Sequence, residues 1–186
     1  MVAQSISGFH ADDWVHKSVC SQSIVFFQDR SKKTLMLGSP YLVDFGYSRP
    51  NKGMTYAPNC HQVTDATTLY LHPDRPQKPF RKFHDIYALG VVLLEIATWR
   101  VAKDHFAKVL REIQQNAVNV SREEFRKKYL STAKKTIPHL MGVSYMEAVV
   151  ACLDDTYKGQ TENADFVETF QGDVIEKLGA NQLLLL

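Results

Sequence analysis

Few side chains in this 186-residue sequence have both the type and the spacing for chemistry, and each lacks a companion. Asp44 stands in Asp44-Phe45-Gly46 directly after the apolar run Tyr41-Leu42-Val43. A carboxylate there can hold a divalent cation or simply open a turn before Gly46, and magnesium prefers more than one such ligand. His16-Lys17-Ser18 sets an imidazole beside a hydroxyl, with Cys20 and Ser23 just downstream. No second base pairs with His16, so a structural histidine is its ordinary reading. His72-Pro73-Asp74 reads as the anchor of a loop. Cys60-His61 are neighbours in sequence, a poor spacing for a nucleophile and its base. Ser144, in Gly142-Val143-Ser144-Tyr145-Met146, lacks the second glycine of a nucleophile elbow. Cys20, Cys60 and Cys152 are far apart and form no CxxC or Cys/His ligand pair. That pattern argues against a structural zinc site and for a reduced, intracellular protein.

The element positioned to hold these residues is the run His84 to Trp99. Its apolar residues cover nearly every face of a helix, and Glu95 is the only charge after Asp85. Such a helix must be surrounded by neighbours. Asp85 suits its N-cap, where a carboxylate accepts first-turn amide hydrogens. Gly90 costs about 1 kcal/mol relative to alanine in mid-helix. It is expected where another backbone or a bulky ring packs against the missing side chain.

Met1 to Asp13 is short and mixed, and Gly8 with Asp12-Asp13 is expected to interrupt any helix there. Trp14 to Lys17 leads through a turn to Ile24-Val25-Phe26-Phe27, a β-branched and aromatic strand. Gln28 to Lys33 reads as a polar loop. Leu35-Met36-Leu37 pairs with that strand or forms covered loop, and Gly38-Ser39-Pro40 punctuates before a second strand, Tyr41-Leu42-Val43. Tyr47 to Phe83 has the Pro, Asn, Asp and His content of a long ordered loop. Helices follow over Asp104 to Asn116, from Ser121-Arg122-Glu123-Glu124 with Ser121 as cap, over Tyr145 to Leu153, and over Phe166 to Leu178. Leu183 to Leu186 is a short tail.

The hydrophobic content of 45% and net charge of +2, spread without a basic block, fit one soluble domain and give no footprint for nucleic acid. The central apolar run is shorter than the ~20 residues of a membrane span, and the first residues lack a signal pattern. A cytoplasmic or nuclear location is expected.

Three features recur in a telling order: His16-Lys17-Ser18 with Ser23 and a strand after it, Asp44-Phe45-Gly46, and His72-Pro73-Asp74 ahead of Asp85-Ile86-Tyr87-Ala88-Leu89-Gly90. Together they resemble the C-terminal lobe of a protein kinase over Trp14 to Leu153. Within that superfamily the chain looks closest to divergent fungal kinase-like domains found with HeLo-type prion-inhibition domains. Tyr41 to Pro50 and Gly90 to Ile96 carry that comparison. The resemblance implies a mainly α fold with short β-strands near the active-site loop, one truncated domain over 1–186, and no N-terminal lobe.

Phosphoryl transfer needs a carboxylate at the attacking hydroxyl, a second holding magnesium, an amide oxygen on the metal, and a lysine on the phosphates. By resemblance Asp44 matches the metal-binding aspartate, with Phe45 and Gly46 beside it. Ser18 falls where the catalytic aspartate belongs, Cys20 where the loop lysine belongs, and Ser23 where the metal-binding asparagine belongs. The expectation is therefore a pseudokinase or truncated paralogue that acts through a protein partner or by self-association. It requires no cofactor, and weak Mg-ATP affinity through Asp44 is the residue of the ancestral chemistry. The alternative is a fragment of an ATP-dependent protein kinase. His72, Pro73, Asp74, Asp85 and Gly90 are assigned structural roles. The family's late arginine, partner of the acid that Asp74 would replace, is expected to be lost, since no arginine follows Arg126.

Overall fold

The computed structural model describes residues 2–52, 66–75, 77–115, 120–160 and 165–180, so the expectations for Cys60, His61 and the 183–186 tail lie outside it. Helix α2 (Lys82–Thr98) is the axis, with every residue from Lys82 to Glu95 buried. It starts earlier than the apolar pattern suggests. Arg81 is the N-cap, and His84 closes the capping turn by accepting the Arg81 N–H at its Nδ1 (2.8 Å). Asp85 is thus inside the first turn rather than at the cap, which frees its carboxylate for another part of the chain.

Around α2 stand α1 (Val2–Ala11), α5 (Arg122–Met141) and α6 (Val143–Leu153). The helix α1 corrects the expectation for the N-terminus. Ala3, Ile6, Ser7 and His10 recur at helical spacing and are all buried, while Gly8 lies on the exposed side, where it interrupts nothing. At Gly90, an added Cβ would lie 2.7 Å from Cys152 Cβ and 3.0 Å from two Leu153 side-chain carbons. The missing side chain therefore admits α6, by its side chains rather than by backbone or a ring. Tyr145 Oη donates to the Leu93 carbonyl (2.9 Å), a further link between the two helices.

The region read as one helix over Asp104 to Asn116 is two pieces, α3 (Ala102–His105) and α4 (Ala107–Gln114), separated at Phe106. Phe106 is buried edge-on against Phe125 and Tyr129 of α5, so core packing decides the break. Helix α5 begins as expected at Ser121, whose hydroxyl and Glu124 cap each other. It buries Phe125, Tyr129, Ala133 and Ile137, four residues at i, i+4 spacing. The chain closes with α7 (Phe166–Phe170), one wide π-helical turn over Gln171–Glu176, and α8 (Lys177–Ala180).

Two small antiparallel sheets lie at the other side. Strand β1 (Trp14–Val15) pairs with β4 (Arg49–Pro50), and β2 (Ile24–Asp29) pairs with β3 (Thr34–Leu42) as a hairpin. Gly38-Ser39-Pro40 does not separate two strands. It is carried within β3 through an irregularity in the ladder between Phe26 and Gln28. Val43 N–H donates to the Ser23 carbonyl (2.8 Å), and Ile24, Val25 and Phe26 then face Leu42, Tyr41 and Pro40. In this alternation the backbone groups of Phe26 and Pro40 point away from each other, so the proline ring nitrogen sits on the outer edge of β3.

Candidate functional site

The loop from His16 to Ser23 is fastened to α2 by Asp85. One carboxylate oxygen accepts the His16 N–H (2.7 Å) and faces His10 Nε2 (3.2 Å); the other accepts the Lys17 N–H (2.8 Å). Asp85 is fully buried. Lys17 has a φ of 73°, and this left-handed step turns two successive N–H groups onto one anion. The sequence singled out His16, Lys17 and Asp85 separately but did not reveal that they touch.

His16 is buried and structural in its contacts. Its Nδ1 accepts the Ser18 N–H (3.3 Å), which leaves Nε2 to donate to the Val43 carbonyl (3.0 Å). Burial lowers its pKa, against the opposing pull of Asp85, so the ring stays neutral near pH 7. Phe45 lies edge-on to His16 with ring centroids 4.8 Å apart, and Phe9 lies 5.6 Å from Phe45. Phe9, Trp14, Phe45, Asp12 and Ser48 line an open recess of about 400 Å³.

Ser18 is half-buried, and Cys20 follows two residues later. The Ser23 hydroxyl donates to the Cys20 carbonyl (2.8 Å) and accepts the Cys20 N–H (3.0 Å). It thereby closes a short turn, with Ser23 itself buried. Val43 and Asp44 bring the second strand up to this loop. Asp44 is exposed with a φ of 70°, and Phe45–Tyr47 follow as a single 3₁₀ turn that includes Gly46. The geometry brings Phe45 to His16 and leaves Asp44 at the surface.

Burial lowers the pKa of Lys17, and Arg49 and Arg75 lower it further; burial and then Arg81 lower that of Arg49, with Asp85 opposing both shifts. Of these cations, only Lys17 and Arg49 stood in motifs singled out from the sequence.

His72, Pro73 and Asp74 lie beside the first turn of α2, at His84. His72 Nδ1 is 2.8 Å from Asp74 Oδ1, and His84 Nε2 is 2.8 Å from the same oxygen. Asp155 adds a contact to His72 Nε2 (2.5 Å), and Arg126 Nη1 lies 2.7 Å from the other Asp155 oxygen. Lys158 Nζ is 3.7 Å from Asp74 Oδ2. The cation beside Asp74 is thus a lysine rather than an arginine. The histidines hold the Asp74 carboxyl well below the usual range against its burial, while burial lowers His84. Among the described residues, His72, Asp74 and His84 are the one group of three whose donor atoms converge as a metal site requires.

No described helix is long and apolar enough to cross a membrane. Compared with models of known protein families, the sequence matches none.

Proposed function

We propose that this chain is a protein-kinase-like C-terminal lobe that transfers no phosphate and acts by binding another protein. The observation that carries this reading is the closed loop from Ser18 to Ser23. A hydroxyl occupies the position where transfer needs a base, and at pH 7 it cannot take a proton as a carboxylate does. The Ser23 hydroxyl is buried and held in a turn with Cys20, and it is a weaker magnesium ligand than the amide oxygen that positions a triphosphate beside such a carboxylate. The surface beside the loop supports the binding half of the proposal. Trp14, Phe26, Phe27, Leu35, Met36, Leu37, Tyr41, Phe45 and Tyr47 are exposed, a density of large apolar side chains that marks interaction surfaces.

The test is phosphate transfer from radiolabelled ATP to generic protein substrates, with a parallel thermal-shift titration of Mg-ATP. Expected is background incorporation, with any small Mg-ATP shift abolished in Asp44→Ala. Asp44-dependent incorporation by the unmodified chain overturns the reading. A monodisperse monomer that binds no hydrophobic dye counts against the interaction half.

A further inference from the structure

The cluster of His72, Asp74 and His84 at the first turn of α2 contains an electrostatic contradiction. Asp155 Oδ1 lies 2.5 Å from His72 Nε2, and a carboxylate only accepts, so that nitrogen carries the ring proton. His72 Nδ1 is then a lone pair, and it accepts the Asp74 N–H at 3.2 Å. The same lone pair faces Asp74 Oδ1 at 2.8 Å. Two electron-rich atoms at that separation need a positive centre between them: a second ring proton or a metal ion.

Three further features favour the ion. His84 Nε2 points at the same oxygen from α2, also at 2.8 Å. Its Nδ1 accepts the Arg81 N–H (2.8 Å) and also lies 3.1 Å from the Arg81 carbonyl, so on binding an ion the ring changes tautomer: Nε2 loses its proton to ligate, and Nδ1 gains one and donates to that carbonyl. Each imidazole thus has its outer nitrogen beside an acceptor, Asp155 for His72 and Arg81 for His84, the support that fixes metal-binding histidines. Asp74 Oδ2 is buried and has no hydrogen-bond partner among the described residues.

We infer that His72 Nδ1, His84 Nε2 and the Asp74 carboxylate form a binding site for one divalent transition-metal ion of the zinc type. The donor atoms lie within 4.8 Å of one another. A tetrahedral ion with bonds of ~2.0–2.1 Å separates its ligands by about 3.3 Å, so modest side-chain movement completes the geometry. Two nitrogens and one oxygen suit zinc or cobalt rather than magnesium or calcium, which take oxygen shells. The fourth position falls to water. Beside the cluster, His72, Asp155 and Lys158 help line a recess of about 10 Å³, on the scale of one water molecule. The ion joins the 72–74 loop to the first turn of α2, with Asp155 steadying it from the segment after α6.

The test uses the purified full chain, stripped with chelator and titrated with zinc chloride by calorimetry, then with cobalt chloride by absorption. Expected is one ion per chain and the visible bands of four-coordinate cobalt without thiolate charge transfer. Asp155→Asn keeps the stoichiometry and weakens zinc about 10- to 100-fold. His84→Gln abolishes binding. Because that change removes a buried side chain, the unmodified chain and Asp155→Asn decide the question, Asp155 being 28% exposed. No zinc uptake at micromolar concentration overturns the site. So does a thiolate band, which transfers the ion to a cysteine, or nitrogen NMR showing both His72 ring nitrogens protonated with zinc present.

Discussion

Helix α2 and the β2–β3 hairpin are both rich in large apolar side chains, yet α2 is enclosed and the hairpin is bare. In α2 every residue from Lys82 to Glu95 is buried. In the hairpin Phe27 is 57% exposed and Leu37 64% exposed. The reason lies in how each element distributes its side chains. A helix satisfies its own backbone and needs neighbours around a cylinder, which α1, α5 and α6 supply. A strand alternates its side chains between two faces, so an apolar strand needs a cover on each. Two strands alone cannot cover one another. The comparison separates apolar residues that hold this fold together from those available to a partner.

The sharpest way to break that contrast is Asp85→Ala, which strands the His16 and Lys17 N–H groups beside a cavity. It should cost about 3–5 kcal/mol in urea unfolding. Leu93→Ala removes core packing from α2 and should cost about 2–5 kcal/mol, and a loss near zero would place the helix at the surface. Gly90→Ala drives a Cβ against Cys152 Cβ and should cost about 1–3 kcal/mol; Gly90→Ala paired with Cys152→Gly, which removes that Cβ, tests whether the clash is the cause.

Between pH 7.5 and pH 5 acidification acts through buried histidines. His16 and His84 have folded pKa values below their ordinary 6.5 because burial disfavours the charged ring. The unfolded chain therefore binds more protons, and stability present above pH 6.5 is lost as pH falls through and below that value. Asp74 and Asp155, both depressed, extend the loss below about pH 4, whereas Glu95, raised by burial, opposes it. A denaturation midpoint that falls steadily from pH 7.5 to pH 5 is the expected result. The smallest change in stability belongs to the hairpin. Phe27→Ser with Leu37→Ser should stay within about 0.5 kcal/mol and lower hydrophobic-dye binding, the opposite balance from Leu93→Ala.

Periodicity made the buried helix legible, and Ser121 with Glu124 made the start of α5 legible, because both signals are local. The missed helix at Val2–Ala11 was hidden by Gly8, whose side of the helix does not enter the core. The start of α2 was hidden for another reason. Lys82, Phe83 and His84 are ordinary residues, and the capping partner is a histidine ring rather than a carboxylate. At the site, single residues could be read but their convergence could not. Asp85 meets Lys17 across 68 positions of sequence, and His72 meets Asp155 across 83. Chain spacing holds no trace of such closures. Glu95 shows the same limit. It was legible as an isolated charge, but not as the acceptor of Tyr70 Oη (2.6 Å) and the Ala102 N–H (2.5 Å).

Pro40 gives the bare hairpin a polarity. Its nitrogen, which bears no hydrogen, lies on the outer edge of β3, so that edge cannot offer a continuous ladder to an incoming strand. The outer edge of β2, at Ile24 and Phe26, has no such interruption. Strand addition is therefore one-sided. A second copy docking there presents its own blocked β3 to the outside, and growth ends at a closed pair instead of running on into a filament.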